Sequence, residues 1–241
     1  MTSTWTASAL AAVVLTASPN GEIARASFRD GMAALDAGNP LAAAAAFETA
    51  AKEAPTWALA FLQWGTALQL YQPESADVLL ALERATELDP DNARANFALG
   101  KAYLRVSRQR DAIRCFEKTL SLRADYPDAR FLLARTRAGI GENAAAIEEM
   151  LTVLRQAPQN TGAMITLAEL YEREKRFDDA ESMLRRIALL HPSVAYHFLR
   201  LAKFYDRTGK NEKAAEARAH AEVIDPRPKR EMRPLRRRTR R

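Results

Sequence analysis

Proline recurs in this chain at intervals of 34 residues. Pro158, Pro192 and Pro226 follow one another at this spacing, and Pro90 lies two intervals before Pro158. The position between them is occupied by Ala124. A fixed period of 20 to 50 residues is typical of stacked structural repeats, each of which buries its apolar face against its neighbours. The sequence therefore predicts a repeat architecture and argues against a single globular core.

Small and apolar residues keep the same period between these prolines. Small residues in paired helices allow a close approach, whereas proline lacks an N–H group and ends a helix. Ala, Leu, Arg and Glu dominate the chain, and they favour helix over strand. The period therefore predicts pairs of helices separated by turns. The recurring positions are Leu99, Leu133, Leu167 and Leu201, then Gly100, Ala134, Ala168 and Ala202, then Ala112, Ala146, Ala180 and Ala214.

Block 93–126 resembles the tetratricopeptide repeat, because it has Leu99-Gly100, Tyr103 and then Ala112-x3-Phe116. Similar blocks cover about residues 24–226, giving six repeats. Block 127–160 has Arg137 where the pattern has Tyr, block 24–57 has Asp30 where it has Leu, and block 58–92 needs one inserted residue near Pro73. The resemblance implies an all-α fold, a right-handed superhelical solenoid of about six helix-turn-helix repeats. The other blocks are 161–194 and 195–228.

The resemblance also implies a concave groove, lined by the first helix of each repeat, that holds a peptide or a segment of a partner protein. In the two central blocks the groove positions carry cations and aromatic rings, so an acidic partner is expected there. Glu169 and Glu172 are expected to make the next block acidic, whereas the last block offers Tyr196, Lys203 and Arg207. The predicted groove residues are Arg94, Phe97, Lys101, Arg105, Phe131 and Arg135.

The C-terminal residues carry the excess charge of the chain. The net charge is +6, but residues 227–241 hold nine Lys or Arg and one Glu, so residues 1–226 sum to −2. Such a block repels itself and is expected to be disordered alone, and it suits a contact with an acidic protein, nucleic acid or an anionic membrane. The simpler alternatives are a solubilising tail and a tail that becomes ordered only inside a complex. The basic residues are Arg227, Lys229, Arg230, Arg233, Arg236, Arg237, Arg238, Arg240 and Arg241.

Residues 1–23 form a separate N-terminal segment with an apolar run from Ala7 to Ala17. Three interpretations stay open: an arm or helix that packs on the first repeat, a signal peptide, or a disordered segment. The run is too short to span a bilayer. A signal peptide would make this an exported protein, and otherwise we expect it in the cytoplasm.

We find no pattern that indicates catalysis. The histidines His191, His197 and His220 form no pair at the i, i+4 spacing of metal ligands, and the single cysteine, Cys115, is expected in or near the core. No enzymatic activity, cofactor, metal or small-molecule substrate is therefore expected. The sequence favours an interaction adaptor whose basic tail makes a second contact. The alternative is a structural subunit of a larger assembly, with the tail bound to a neighbouring subunit, nucleic acid or an anionic membrane.

Overall fold

A computed structural model describes residues 19–226. Within this part of the chain all regular structure is helical, and the fold is an all-α helical repeat solenoid, as predicted. Residues 1–18 of the predicted N-terminal segment and the whole tail, 227–241, lie outside the described residues. The helices are α1 (Pro19–Asp36), α2 (Pro40–Glu53), α3 (Ala58–Tyr71), α4 (Ala76–Leu88), α5 (Ala93–Arg105), α6 (Gln109–Leu122), α7 (Pro127–Gly139), α8 (Asn143–Gln156), α9 (Thr161–Arg173), α10 (Phe177–Leu190), α11 (Ala195–Arg207) and α12 (Asn211–Ile224).

The recurring prolines fall just after the second helix of each pair. Pro90, Pro158, Pro192 and Pro226 each lie two residues beyond the end of α4, α8, α10 and α12. Ala124 has the same position after α6, so the helix ends there without a proline. The period read from the sequence is therefore the period of the helix pairs.

The turns inside the pairs explain the single irregularity of the repeat. Most of them contain three residues, but the turn between α3 and α4, residues 72–75, contains four. This confirms the inserted residue predicted near Pro73. The first helix begins at Pro19, so residues 19–23 belong to α1 and not to a separate arm.

One position in these turns requires a left-handed backbone. Gly141 and Gly209 adopt φ values of 88° and 73°, as a residue without Cβ does readily. Ser107 and Lys175 occupy the same position in the intervening turns, with φ values of 58° and 59°. The left-handed conformation costs free energy for residues with a Cβ, so these two turns are strained relative to the glycine-containing ones.

The chain divides into two compact units, Met1–Glu149 and Met150–Arg241, with the boundary inside α8. Unit 1 buries large apolar side chains against small residues of the paired helix: a Cβ on Gly31 would lie 2.7 Å from the Phe47 ring, and one on Gly100 would lie 2.6 Å from the Phe116 ring. In unit 2 the equivalent position holds Ala168. The largest fully buried side chains are Phe47, Leu82, Phe116 and Leu133 in unit 1 and Met150, Met164, Leu167, Leu170, Ile187 and Phe204 in unit 2.

Candidate functional site

Four of the predicted groove residues lie on one face of α5. Arg94, Phe97, Lys101 and Arg105 are spaced at i, i+3, i+7 and i+11, which places them in one stripe along a helix. Asn92 caps the N-terminus of α5, because its side chain accepts hydrogen bonds from the backbone N–H groups of residues 94 and 95. The cap fixes where α5 begins, and the spacing of the four residues then places them on one face.

The stripe borders an aromatic cleft of about 200 Å³. The Phe97 ring lies 4.8 Å from the Tyr126 ring and 5.9 Å from the Phe116 ring, measured between centroids. The Lys101 ammonium lies 5.2 Å from the centroid of Phe97, within cation–π range. Arg94 lines the same cleft. The remaining wall comes from Leu59, Leu62, Gln63 and Thr66 of α3 and Ala98 of α5.

Phe131 and Arg135 form a second cation–aromatic pair, on α7. The Arg135 guanidinium carbon lies 5.8 Å from the centroid of the Phe131 ring. Neither residue lines the cleft beside Phe97, and neither does Arg105. The structure therefore brings Arg94, Phe97 and Lys101 together and places the other three predicted residues outside that cleft.

The groove cations lack carboxylate partners. Among the described residues, no ion pair is formed by Arg94, Lys101, Arg105 or Arg135. Burial lowers the pKa of Lys101, and the positive charge of Arg105 lowers it further, while Asp128 opposes the shift. A lowered lysine pKa means that the ammonium is less well solvated here than in water. Arg94, Lys101, Arg105 and Arg135 therefore carry positive charge that forms no ion pair with a carboxylate of the described residues. We name Arg94, Phe97, Lys101, Arg105, Phe131 and Arg135 the cationic groove.

Two arginines close to these residues in sequence, Arg130 and Arg137, form ion pairs. Arg130 donates to Glu149 at 2.7 Å, and Arg137 lies 2.5 Å from Glu117 and 3.4 Å from Glu149. Arg137 occupies the place of Tyr103, whose hydroxyl donates to Glu83 at 2.8 Å. The residue that breaks the tyrosine series in the sequence therefore preserves the contact to a carboxylate on the preceding helix.

Sequence reasoning missed Tyr126, which packs on Phe97. The repeat contains a signal for this contact. Two repeats earlier, Phe28 occupies the position of Phe97 and Trp57 occupies the position of Tyr126. The rings of Phe28 and Trp57 also contact, at 4.6 Å between centroids. They line a further cleft of about 590 Å³ together with Arg25, which is the repeat equivalent of Arg94. The phase that relates the Leu and Ala positions, with allowance for the inserted residue, therefore also relates Trp57 to Tyr126.

The corresponding surface of unit 2 has a different electrostatic character. Glu169 pairs with Arg200 at 3.1 Å and Glu172 pairs with Arg207 at 2.6 Å, across α9 and α11. The acidic character predicted here is wrong, because arginines of the next first helix neutralise both carboxylates. A cleft of about 800 Å³ opens at these ion pairs and includes Lys203. Its exposed apolar members are Tyr196 and Leu199.

The described residues contain no cluster of three or more His, Cys, Asp or Glu side chains able to hold a metal ion. Cys115 is half-buried, and burial raises the pKa of its thiol to about 11, with Asp111 contributing. It is therefore a near-core residue, as expected. Across residues 19–226, the helices are too short or too polar to cross a membrane.

Paired helices at a regular interval define a helical repeat protein. Two family models described as tetratricopeptide repeat match the chain, one at residues 68–109 and 97–161 and the other at 141–199, and together they cover more than half of it. The chain belongs to the tetratricopeptide repeat family. No curated protein matches it.

Solved structures show the same fold. The chain resembles YrrB, a TPR protein with an unusual peptide-binding site, at 23% identity and a TM-score of 0.64, over 76% of this chain and 94% of that one. It resembles PilW, a type IV pilus biogenesis factor, at 21% identity and a TM-score of 0.67, over 86% and 96%. A tetratricopeptide repeat protein from Parabacteroides merdae is 15% identical with a TM-score of 0.69, over 81% and 77%.

Proposed function

We propose that this protein is a non-enzymatic adaptor that holds an acidic segment of a partner protein in the cationic groove of unit 1. The observation that carries the proposal is the row of cations on α5 and α7 that have no carboxylate partner among the described residues. Elsewhere in unit 1, arginines such as Arg130 and Arg137 are paired. Cations that the fold leaves unpaired are available to a ligand.

Lys101 is the central residue of the proposed contact. Its ammonium is partly desolvated and is repelled by Arg105, so part of the cost of removing it from water is met before any ligand binds. A carboxylate placed beside it would form a charge-assisted hydrogen bond and raise its pKa. Arg94 borders the same cleft and adds a second donor.

The cleft beside Phe97 gives the ligand an apolar requirement as well. It is narrow, at about 200 Å³, and Leu59, Leu62 and Tyr126 line it. We therefore expect one apolar side chain of the partner to enter this cleft while flanking carboxylates contact the cations. Aromatic or large aliphatic anchors in pockets commonly carry most of the affinity of such interfaces.

The basic tail, residues 227–241, would add a second contact to an acidic protein, nucleic acid or an anionic membrane. Its charge acts at long range and weakens with salt. Two modest contacts joined in one chain bind far more tightly than either alone. The peptide-binding site named for YrrB supports a role in peptide binding for a chain of this fold.

The test measures binding of a fluorescent peptide in which one phenylalanine is flanked by glutamates, by fluorescence anisotropy. Lys101→Glu combined with Arg135→Glu should weaken binding at least about tenfold, which corresponds to about 1.4 kcal/mol. The control, Arg110→Glu with Arg155→Glu, makes the same change of net charge at exposed positions outside the groove. Equal affinity of the groove variant and the wild type would refute the proposal.

The adaptor and the structural subunit differ in what the tail does. Partners captured by full-length protein and by a variant lacking residues 227–241 are compared by mass spectrometry. An adaptor keeps its groove partner when the tail is removed and binds it less tightly. Loss of a whole assembly, with peptide binding in the groove unchanged, would favour the structural subunit.

A further inference from the structure

A second cleft in unit 2 opens between α10 and α12 and has a volume of about 570 Å³. Phe198 and Leu201 of α11 line it, together with Leu189 of α10 and Val223 of α12. Val223 is 84% exposed and Leu189 is 78% exposed, the highest values among large apolar side chains in the described residues. We name this surface the α10–α12 cleft. It is distinct from the cleft at the Glu169 and Glu172 ion pairs, which lies at α9 and α11.

An apolar cleft with exposed apolar rims indicates a surface that another segment covers. Its volume lies in the range of clefts that bind ligands. The ring of His220 stacks on Phe198, at 5.5 Å between centroids and an interplanar angle of 16°, so part of the floor is already organised. Leu189 and Val223 are the exposed large apolar residues of the lining.

We propose that the occupant is the chain's own C-terminal segment, with Met232 and Leu235 seated in the α10–α12 cleft. These are the large apolar residues of 227–241. The segment starts directly after Pro226, and Val223 and Ile224 line the cleft. Met232 lies six positions after Pro226 in the sequence, and an extended chain of this length reaches up to about 20 Å.

Charge favours the same occupant. Glu212 and Glu216 lie one turn apart on α12, and Glu216 lines the cleft. The neighbouring cations of α12 are engaged, since Lys213 pairs with Glu181 at 3.0 Å and Arg218 pairs with Asp206. The rim formed by α12 is therefore acidic.

The opposite rim carries Arg185 of α10, which also lines the cleft. Met232 and Leu235 are flanked by arginines in Arg230-Glu231-Met232-Arg233-Pro234-Leu235-Arg236. In a docked segment Arg230 and Arg233 would thus face Glu212 and Glu216, and Glu231 is available to Arg185. Arg237, Arg238, Arg240 and Arg241 lie beyond Leu235 and stay free for the second contact proposed above.

Disulfide trapping tests the docking at low protein concentration. Leu235→Cys is combined with Val223→Cys in one variant and with Glu222→Cys in the other, and both carry Cys115→Ala. Glu222 and Val223 are adjacent, so the connecting chain is nearly the same length, but only Val223 lines the cleft. Glu222→Gln is added to the Val223 variant so that the net charges match.

Docking predicts that the intramolecular disulfide at Val223 forms at least tenfold faster than the one at Glu222 in the same glutathione buffer. Rates within about twofold of each other would overturn the proposal, because an undocked tail samples both positions equally. Disulfide-linked dimers formed through Val223 would assign the cleft to a second copy of the chain and would also overturn it.

Hydrogen exchange gives an independent measurement on the full chain without cysteines at these sites. In the double variant Met232→Ser, Leu235→Ser, the amides of the last turn of α12 should exchange several-fold faster than in the wild type. Amides of α5, in unit 1, serve as the internal control and should not change. Unchanged exchange in α12 would contradict the docking.

Discussion

Gly100→Ala tests whether the small residue in each first helix is required by its paired helix. A Cβ at this position would lie 2.6 Å from Cε1 and 2.9 Å from Cδ1 of Phe116, well inside the optimal carbon–carbon separation of about 3.5–4.0 Å. Phe116 is fully buried and packs on Phe97, so its ring cannot move away freely. Overpacking of this kind costs about 1–3 kcal/mol, and alanine returns about 1 kcal/mol of helix propensity. We expect a net loss of up to about 2 kcal/mol in the free energy of unfolding.

Urea unfolding followed by tryptophan fluorescence measures this loss, because Trp57 and Trp64 both lie in unit 1. Gly139→Ala is the matched control: Gly139 is also helical, and an added Cβ meets no atom within 4 Å. The control should be neutral or slightly stabilising. If Gly100→Ala is no more destabilising than Gly139→Ala, close packing against Phe116 is not the reason for a glycine at position 100.

A double-mutant cycle sharpens the test. In unit 2 the equivalent pair is Ala168 with Leu184, which is buried without a glycine. Phe116→Leu should therefore relieve the clash created by Gly100→Ala, and the two changes together should cost about 1 kcal/mol less than their sum. Additivity to within about 0.3–0.5 kcal/mol would refute the reasoning.

Three further predictions follow from the structure. Burial raises the pKa of Glu181, but hydrogen bonds from Lys210, Lys213 and Tyr205 outweigh it and lower the pKa from 4.5 to about 2; Glu181→Gln should cost about 1–2 kcal/mol at neutral pH after allowance for the exposed lysines. Because the folded-state pKa is lowered, this difference between wild type and variant should be complete above pH 4.5 and shrink as the pH falls towards 2, as measured by urea unfolding. Lys175→Gly should raise the unfolding free energy by about 1 kcal/mol, because it removes a left-handed non-glycine residue, whereas an unchanged midpoint would contradict strain in that turn. With the pKa of Cys115 raised from 9.0 to about 11, iodoacetamide at pH 8 should alkylate the folded protein about 100-fold more slowly than the unfolded chain, and equal rates would contradict this.

The periodic part of the fold was predictable because it depends on residue types with direct backbone consequences. Proline shortly after a second helix is a local requirement, so the spacing of the prolines predicted the helix pairs. The inserted residue between α3 and α4 was found for the same reason. Ser107 and Lys175 were not identified, because neither residue type signals a positive φ.

The stripe on α5 was also predictable, since the i, i+3 and i+4 spacing of its residues fixes a common helix face. The ion pairs were not, because they join side chains on different helices. Arg137 was interpreted as a break in the tyrosine series, yet it contacts Glu117 as Tyr103 contacts Glu83. Glu169 was interpreted as an unpaired charge, because its partner Arg200 lies 31 residues further along the chain and on another helix.

One repeat position shows why such pairings decide the chemistry of the surface. Lys101, Arg135, Glu169 and Lys203 are successive equivalents at intervals of 34 residues. Within the described residues, Lys101 and Arg135 have no carboxylate partner, whereas Glu169 is neutralised by Arg200. The repeat fixes where a side chain emerges, and the neighbouring first helix determines whether its charge is satisfied. The net charge of this surface therefore depends on pairs of adjacent helices: positive charge remains in unit 1 where the adjacent helices supply no carboxylate, and it is balanced in unit 2 where Glu169 pairs with Arg200.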